Sequence, residues 1–430
     1  HGNPYGKDSF PAHEILRRMM LALTYGAAPS IAVIQPPHLQ PAIYECLDQV
    51  QARKEWLTHK RPVPWGAIVM SDNTRNFYGL NAGLVEERYM SSVLGMFRAS
   101  VEEHLPMTII NDWNLNDEDL ADFQLIVLPN TACMDAEQMA AIERFVHRGG
   151  GLVASLDTSL FDEFGTPRAN FGLAELFGVD YQGIPKNHDQ KMSEPEGIDI
   201  NFAKSITPDF WERRKNIYDF KPVENSFSDS ARLESYIGSD TVTFKGPAVW
   251  VQPADTTTQV TASARIRETA NELPAIMARS HGQGRVVYLA AGIDSAYYNY
   301  AYPYQRIVLR DAMQWAANSA PPISVEAPMC VHATFMHQSK PGHERLVIHL
   351  FNDVNTTAQH AFPNEDVPLR EEVIPIHDIQ VTFNSSFPIR SVRLQPEGLE
   401  LAVQRITNTE FKVVVPRLEV HAMVVCELND

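Results

Sequence analysis

The chain has 430 residues, 44% of them hydrophobic and 21% charged, which is too long for one ordinary core and too apolar for a disordered chain. It predicts two to four globular domains. Lys and Arg number 36 against 53 Asp and Glu, and the formal charge of −17 repels nucleic-acid phosphates and anionic lipid, so neither is expected as a partner, whereas a neutral substrate such as a sugar is left open.

No segment reaches the roughly 18 apolar residues that span a bilayer, and no basic-apolar leader opens the chain. The expectation is a soluble protein, cytoplasmic by default, with the compartment itself left open. His1 stands where a gene product would begin with Met, which points to a leader or a whole domain upstream. The four cysteines, Cys46, Cys133, Cys330 and Cys426, form no CxxC pair and read as reduced thiols rather than a zinc site or disulfide framework.

Residues 1–11 are rich in Gly, Pro and Asn and read as a loop. Ala12, Ile15, Leu16, Met19, Met20 and Leu23 then fall at helical spacing, and Gly26 offers a left-handed stop. Residues 30–34 are short and apolar on both faces, as in a strand of a parallel sheet. Pro41 opens a second helix with Ile43, Leu47, Val50 and Leu57 on one face. A buried strand needs neighbours on both edges, and this stretch supplies none. Residues 1–60 therefore read as the tail of a larger α/β domain, the last turns of a (β/α)8 barrel, with the alternative that the strand at 30–34 joins the sheet that follows.

After Pro62 and Pro64 the pattern restarts. Strands are expected over 65–70, 107–110, 125–128 and 152–155, with a loop at 71–78 and a long helix carrying Met90, Val93, Leu94, Phe97 and Val101. A short acidic helical turn follows near Asp117, and a further helix opens at Asp135, with Gln138 placed for a capping box. Repeated strand–helix units of this length mean a doubly wound parallel sheet. Residues 182–272 break the alternation and read as an insertion of irregular and antiparallel structure. The α/β pattern resumes through 274–290 and closes with a helix over 305–317, so the domain spans 61–320. Beyond Pro321 and Pro322 the runs alternate in the manner of a small antiparallel β-sandwich, 321–430.

Several tempting motifs fail on spacing. His13–Glu14 lacks the second His of HExxH, that position being Arg17. The glycines 149–151 follow a helix and precede a strand, the reverse of a phosphate-cradling loop, and fit a helix end. The run HGQGR at 281–285 reads as a hairpin turn. His332 and His337 are five apart and so face opposite sides of a strand, which argues against a metal shared with His343. Cys133 follows an apolar strand, as a nucleophile on a strand-to-helix turn does, but lacks flanking glycines. No cofactor or metal motif is present, and none is expected. Ligands of doubly wound sheets sit beyond the carboxyl ends of strands, which makes Asp72 and Arg75 candidates for ligand or subunit contact, with a self-bonded turn as the alternative. On the barrel reading, Asn3, Tyr5, Lys7, Asp8, Gln35 and His38 line the substrate rim.

The order of these segments carries a resemblance. Asn3–Pro4, Arg17–Arg18 and the run LALTYGA at 21–27 resemble the end of the barrel in family-42 β-galactosidases and related glycosyl hydrolases. Residues 64–75, LIVLPN at 125–130, FVHRGGGLVAS at 145–155, TSLFDE at 158–163, FGLAELFG at 171–178 and GQGRVVY at 282–288 resemble their middle trimerisation domain, which is flavodoxin- or class I glutamine amidotransferase-like. The tails RLVIHLFN at 345–352 and EVIPIHD at 372–378 are similar to those of a less characterised branch of these hydrolases.

The resemblance implies retaining hydrolysis of a carbohydrate substrate by two glutamates whose carboxyls stand about 5–5.5 Å apart. Both lie upstream of the matched stretch, so no catalytic residue is assigned here, neither Glu14 nor Glu45. It also implies a homotrimer closed by the middle domain. Two other readings stay open: a non-catalytic carbohydrate-binding or assembly subunit, and a Cys133-dependent amidotransferase-like hydrolase.

Overall fold

The computed structural model describes residues 11–30, 40–79, 85–185, 217–222, 241–267, 272–356, 370–384 and 387–429. The strand expected at 30–34 and the rim candidates Asn3, Tyr5, Lys7, Asp8, Gln35 and His38 fall outside the described residues, Ser30 excepted. The chain forms two compact units, one of His1–Val63, Val101–Pro106 and Pro321–Asp430, the other of Pro64–Ser100 and Met107–Ala320.

In the first unit, helix α1 (Ala12–Thr24) forms where its sequence spacing places it and buries Met19, Met20 and Leu23. It ends as expected at Gly26, whose φ of +80° lets the N–H of Ala27 reach the carbonyl of Ala22 at 2.9 Å. Helix α2 (Gln40–Arg53) runs through a short 3-10 turn, Lys54–Trp56, into strand β1 (Lys60–Pro62).

The second unit begins with β2 (Gly66–Met70), then α3 (Ser91–Glu102, whose last residues belong to the first unit), β3 (Met107–Asn111), α4 (Asp117–Leu120) and β4 (Leu125–Leu128). Helix α5 (Ala136–His147) starts in the expected capping box: Asp135 accepts from the N–H of Gln138 at 2.8 Å and its own N–H is bonded by the Gln138 side chain at 3.0 Å. Gly149, at φ +114°, ends the turn beyond it. There follow β5 (Gly151–Ser155), α6 (Ala174–Phe177), β6 (Val179–Gly183), β7 (Ile217–Pro222), β8 (Val242–Lys245), β9 (Trp250–Pro253), β10 (Gln259–Ile266), β11 (Glu272–His281), β12 (Gly284–Leu289), α7 (Ile293–Tyr300) and α8 (Pro303–Ala317).

Their sheet has the order β3-β2-β4-β5-β12-β11-β10-β7-β8. The first five strands are parallel and the last four antiparallel. The irregular stretch of the sequence thus supplies β7, β8 and β10 as antiparallel extensions of the same sheet, and β9 pairs β6 apart from it. The parallel strands β4 and β5 are buried throughout, which is why their sequences show no polar alternation. HGQGR at 281–285 is the β11–β12 hairpin. The residues 71–78, expected as a loop, contain a wide helical turn over Thr74–Gly79.

The first unit resumes with β13 (Ile323–Glu326), β14 (Val331–Lys340), β15 (His343–Asn352), β16 (Ile376–Asn384), β17 (Ile389–Gln395), β18 (Leu399–Glu400), β19 (Gln404–Arg405), β20 (Glu410–Leu418) and β21 (His421–Leu428). A six-stranded sheet, β1-β14-β15-β21-β17-β18, faces a four-stranded one, β13-β16-β20-β19. Leu346, Ile348 and Leu350 of β15 share the core between the sheets with Val381, Phe383 and Val413. The opposite side of β15 is apolar too: Phe351 packs with Met19, Met20 and Cys46, and Val347 with Trp56 and Met423. The six-stranded sheet is the middle of three layers, helices on one side and the second sheet on the other. That accounts for the unbroken apolar run of β15.

Candidate functional site

In the parallel sheet the chain leaves β2 for β3 on one side and returns to β4 on the other. Such a switch point opens a crevice at the carboxyl ends of the strands, where doubly wound domains hold their ligands. Here the loops after β2 and β4 meet. The Ser71 N–H donates to the Tyr89 hydroxyl at 2.5 Å, and Ser71 Oγ donates to Asp112 Oδ2 at 2.8 Å. Thr74 Oγ1 accepts from the N–H of Cys133 at 3.0 Å, joining the two loops.

A second layer closes on the first. The Tyr78 hydroxyl donates to Asp157 Oδ2 at 2.6 Å, and the Arg88 guanidinium lies 4.1 Å from the Tyr78 ring centroid. Asn130 Nδ2 donates to the Arg88 carbonyl at 2.6 Å, and Asn130 Oδ1 accepts from the N–H of Asp157 at 3.0 Å. Ser155 Oγ accepts from the N–H of Asn130 at 2.9 Å and donates to Asp294 Oδ2 at 2.5 Å. Thr74, Tyr78, Asn130, Cys133, Asp157 and Asp294 are each at most 2% exposed. Burial raises the pKa of Asp294, against the pull of its hydrogen bonds from Ser155 and the Ser295 N–H. The crevice is filled by its own side chains, which bond to one another. This arrangement rigidifies the carboxyl ends of β2, β4 and β5 among the described residues.

Cys133 sits inside that plug. Burial, with a smaller contribution from Asp162, pushes its thiol up to about 12, so at neutral pH it is a protonated, enclosed sulfur and a poor nucleophile. We expect alkylation of the folded protein by iodoacetamide, followed by peptide mass spectrometry, to modify Cys133 at least about tenfold more slowly than the partly exposed Cys330. Equal rates would mean that the plug opens.

Asp72 and Arg75 are brought together at the surface, Arg75 Nη2 standing 3.2 Å from Asp72 Oδ1, both sides more than a third exposed. The self-bonded turn is realised, and both side chains remain accessible. Glu14 is 1% exposed and held by Arg370 through both carboxylate oxygens, at 2.9 and 3.2 Å. The three clustered histidines take separate partners: His332 the Tyr25 hydroxyl at 2.9 Å, His337 the Glu344 carboxylate at 3.2 Å, His343 the Glu427 carboxylate at 3.7 Å. Sequence reasoning missed Tyr78, Arg88, Asn130, Asp157 and Asp294. Only the position of Asn130 and Asp157, just past β4 and β5, signalled them.

These features define a flavodoxin-like, amidotransferase-like domain in a chain that also carries a β-sandwich. Residues 78–316, more than half of the chain, match the family ThuA, described as trehalose utilisation, and the chain belongs to that family. The fold is shared with solved glycosidases. α-L-Fucosidase isoenzyme 2 of Paenibacillus thiaminolyticus superposes with a TM-score of 0.71 at 15% identity, over 99% of this chain and 59% of that one. A catalytic mutant of Gan42B, a GH42 β-galactosidase of G. stearothermophilus, gives 0.57 at 13% identity, over 90% and 44%. The β-galactosidase of Bacillus circulans sp. alkalophilus gives 0.58 at 11% identity, over 90% and 45%. The chain thus spans between 44% and 59% of the lengths of these relatives. No curated protein gives a significant sequence match. Among the described residues no helix is long and apolar enough to cross a membrane.

Proposed function

We propose that the chain is the C-terminal portion of a glycoside hydrolase-like protein, β-galactosidase-like in plan, that supplies assembly and the active-site rim while the catalytic glutamates lie upstream. The observation that carries this reading is the buried switch-point network, whose described side chains are committed to one another, as suits a scaffold. The shared fold with longer glycosidases over nine-tenths of the chain supports it. On this reading residues 1–60 end a (β/α)8 barrel, and Asn3, Tyr5, Lys7, Asp8, Gln35 and His38 border a carbohydrate at the barrel mouth. The upstream pair works by retention, one carboxyl protonating the leaving oxygen while the other attacks the anomeric carbon. Asp72 and Arg75 are left to meet a neighbouring copy in a trimer closed by cyclic symmetry.

The same buried network also favours a second reading, an assembly or carbohydrate-binding subunit with no catalytic barrel. The coding sequence upstream of His1 separates the two: several hundred residues of βα units holding two strand-end glutamates support the hydrolase, and their absence supports the subunit. Light scattering on the native gene product tests the assembly, with three copies expected and a strict monomer excluding the trimer.

A further inference from the structure

Four basic side chains from four elements meet on the helix-covered face of the six-stranded sheet: Arg53 at the end of α2, Lys60 at the start of β1, His349 on β15 and His421 on β21. Arg53 Nε donates to His421 Nδ1 at 3.0 Å and Arg53 Nη2 to the His421 carbonyl at 2.9 Å. His421 Nε2 lies 3.1 Å from His349 Nδ1, and His349 Nε2 lies 3.4 Å from Lys60 Nζ. A guanidinium only donates, so His421 Nδ1 accepts and the His421 proton sits on Nε2. That proton is given to His349 Nδ1, which puts the His349 proton on Nε2; an ammonium only donates, so Lys60 Nζ, 3.4 Å away, faces that N–H as a neighbouring charge and not as its hydrogen-bond partner. The heavy-atom network therefore assigns both tautomers in one direction, and both rings are neutral.

The surroundings offer a proton no welcome. Arg53 and Lys60 are the charged groups acting on the rings, and Glu397, in the turn after β17, acts on Arg53. Arg53 Nη1 is held within its own helix by the Gln49 carbonyl at 2.8 Å and amide oxygen at 2.9 Å. Burial first, then Lys60 and Arg53 for His349, and His349 ahead of those two cations for His421, holds both imidazoles well below their ordinary value. Around them lie the apolar Trp56, Val347, Phe351 and Met423.

We infer that the relay Arg53–His421–His349 is a proton-operated latch, fastening α2 to the sheet while both rings are neutral and releasing α2 when either takes a proton. A proton on His421 Nδ1 meets the Arg53 N–H head-on, and one on His349 Nδ1 meets the His421 N–H. Either adds a third cation between Arg53 and Lys60 in an apolar layer, a cost that water relieves once α2 lifts. The inference is independent of the glycosidase reading.

Hydrogen exchange of the whole chain between about pH 8 and about pH 5.5, corrected for intrinsic rates, tests it. Below about pH 6.5, where the opened form takes protons that the closed form refuses, α2 protection falls about tenfold per pH unit for one ring and about a hundredfold for two. Strands β4 and β5 keep their protection. In the double variant His349→Gln, His421→Gln the dependence flattens. Unchanged α2 protection in the native chain, or an equal fall in the variant, overturns the latch. If the variant does not fold, the imidazole Cε1–H resonances of the native chain decide: two rings titrating only in step with α2 release support it, and two titrating near about 6.5 with α2 still protected overturn it.

Discussion

Glu14→Ala lowers the stability of the sandwich-bearing unit by about 3–5 kcal/mol, the range for removing one partner of a buried ion pair. Glu14 is enclosed on α1 and bonds the Arg370 guanidinium through two oxygens. Arg17, one turn along, is 0% exposed and donates to the Asn352 carbonyl at 2.5 Å, but its Nε and Nη2 have no hydrogen-bond partner among the described residues. Burial, then Arg370, depresses its pKa, and Asp353 and Glu14 oppose that shift. Without Glu14, two buried guanidinium groups are left with Asp353 as the remaining acid, among the described residues, that acts on both. Glu14→Gln keeps an acceptor but not the charge and should cost less. The check is denaturant unfolding read by hydrogen exchange in β15 and β21, which isolates this unit. A loss under about 1 kcal/mol, the ordinary surface-pair range, contradicts the account.

Gly95→Ala unsettles the parallel-sheet unit by about 3 kcal/mol, the upper end of overpacking. A Cβ at Gly95 stands 1.9 Å from the Asp294 carbonyl oxygen and 2.7 Å from its carbon, both of them backbone atoms that cannot turn aside. Either α3 or the turn into α7 must move, and that turn carries the Asp294 carboxyl that accepts from Ser155 at the floor of the closed crevice. The melting temperature of this unit should fall by about 6–12 °C. An unchanged melting curve means that the contact is looser than described.

Much of this architecture is legible from local patterns. The spacing of Met19, Met20 and Leu23 gives α1, Asp135 and Gln138 give the start of α5, and the apolar runs around Ile126 and Val153 give buried parallel strands, because each signal lies within a few residues. The crevice is not legible, since Tyr78, Arg88, Asn130, Asp157 and Asp294 come from five separate segments and mean nothing until the sheet order joins them. The latch is hidden for a similar reason. His349 and His421 sit in apolar runs where a histidine looks like an interruption, and only the third layer of helices brings Arg53 to them. The antiparallel character of 182–272 is legible, but that β7, β8 and β10 extend the parallel sheet is not, because pairing partners far apart in sequence leave no local signal.

The scaffold role is tested most directly by assaying this 430-residue chain, folded and at high concentration, on a panel of aryl glycosides beside the native gene product. The account predicts that the longer product releases aglycone with retention at the anomeric carbon and that the chain alone releases none above background. Hydrolysis by the chain alone, lost on mutating residues within it, contradicts the claim that its chemistry lies elsewhere.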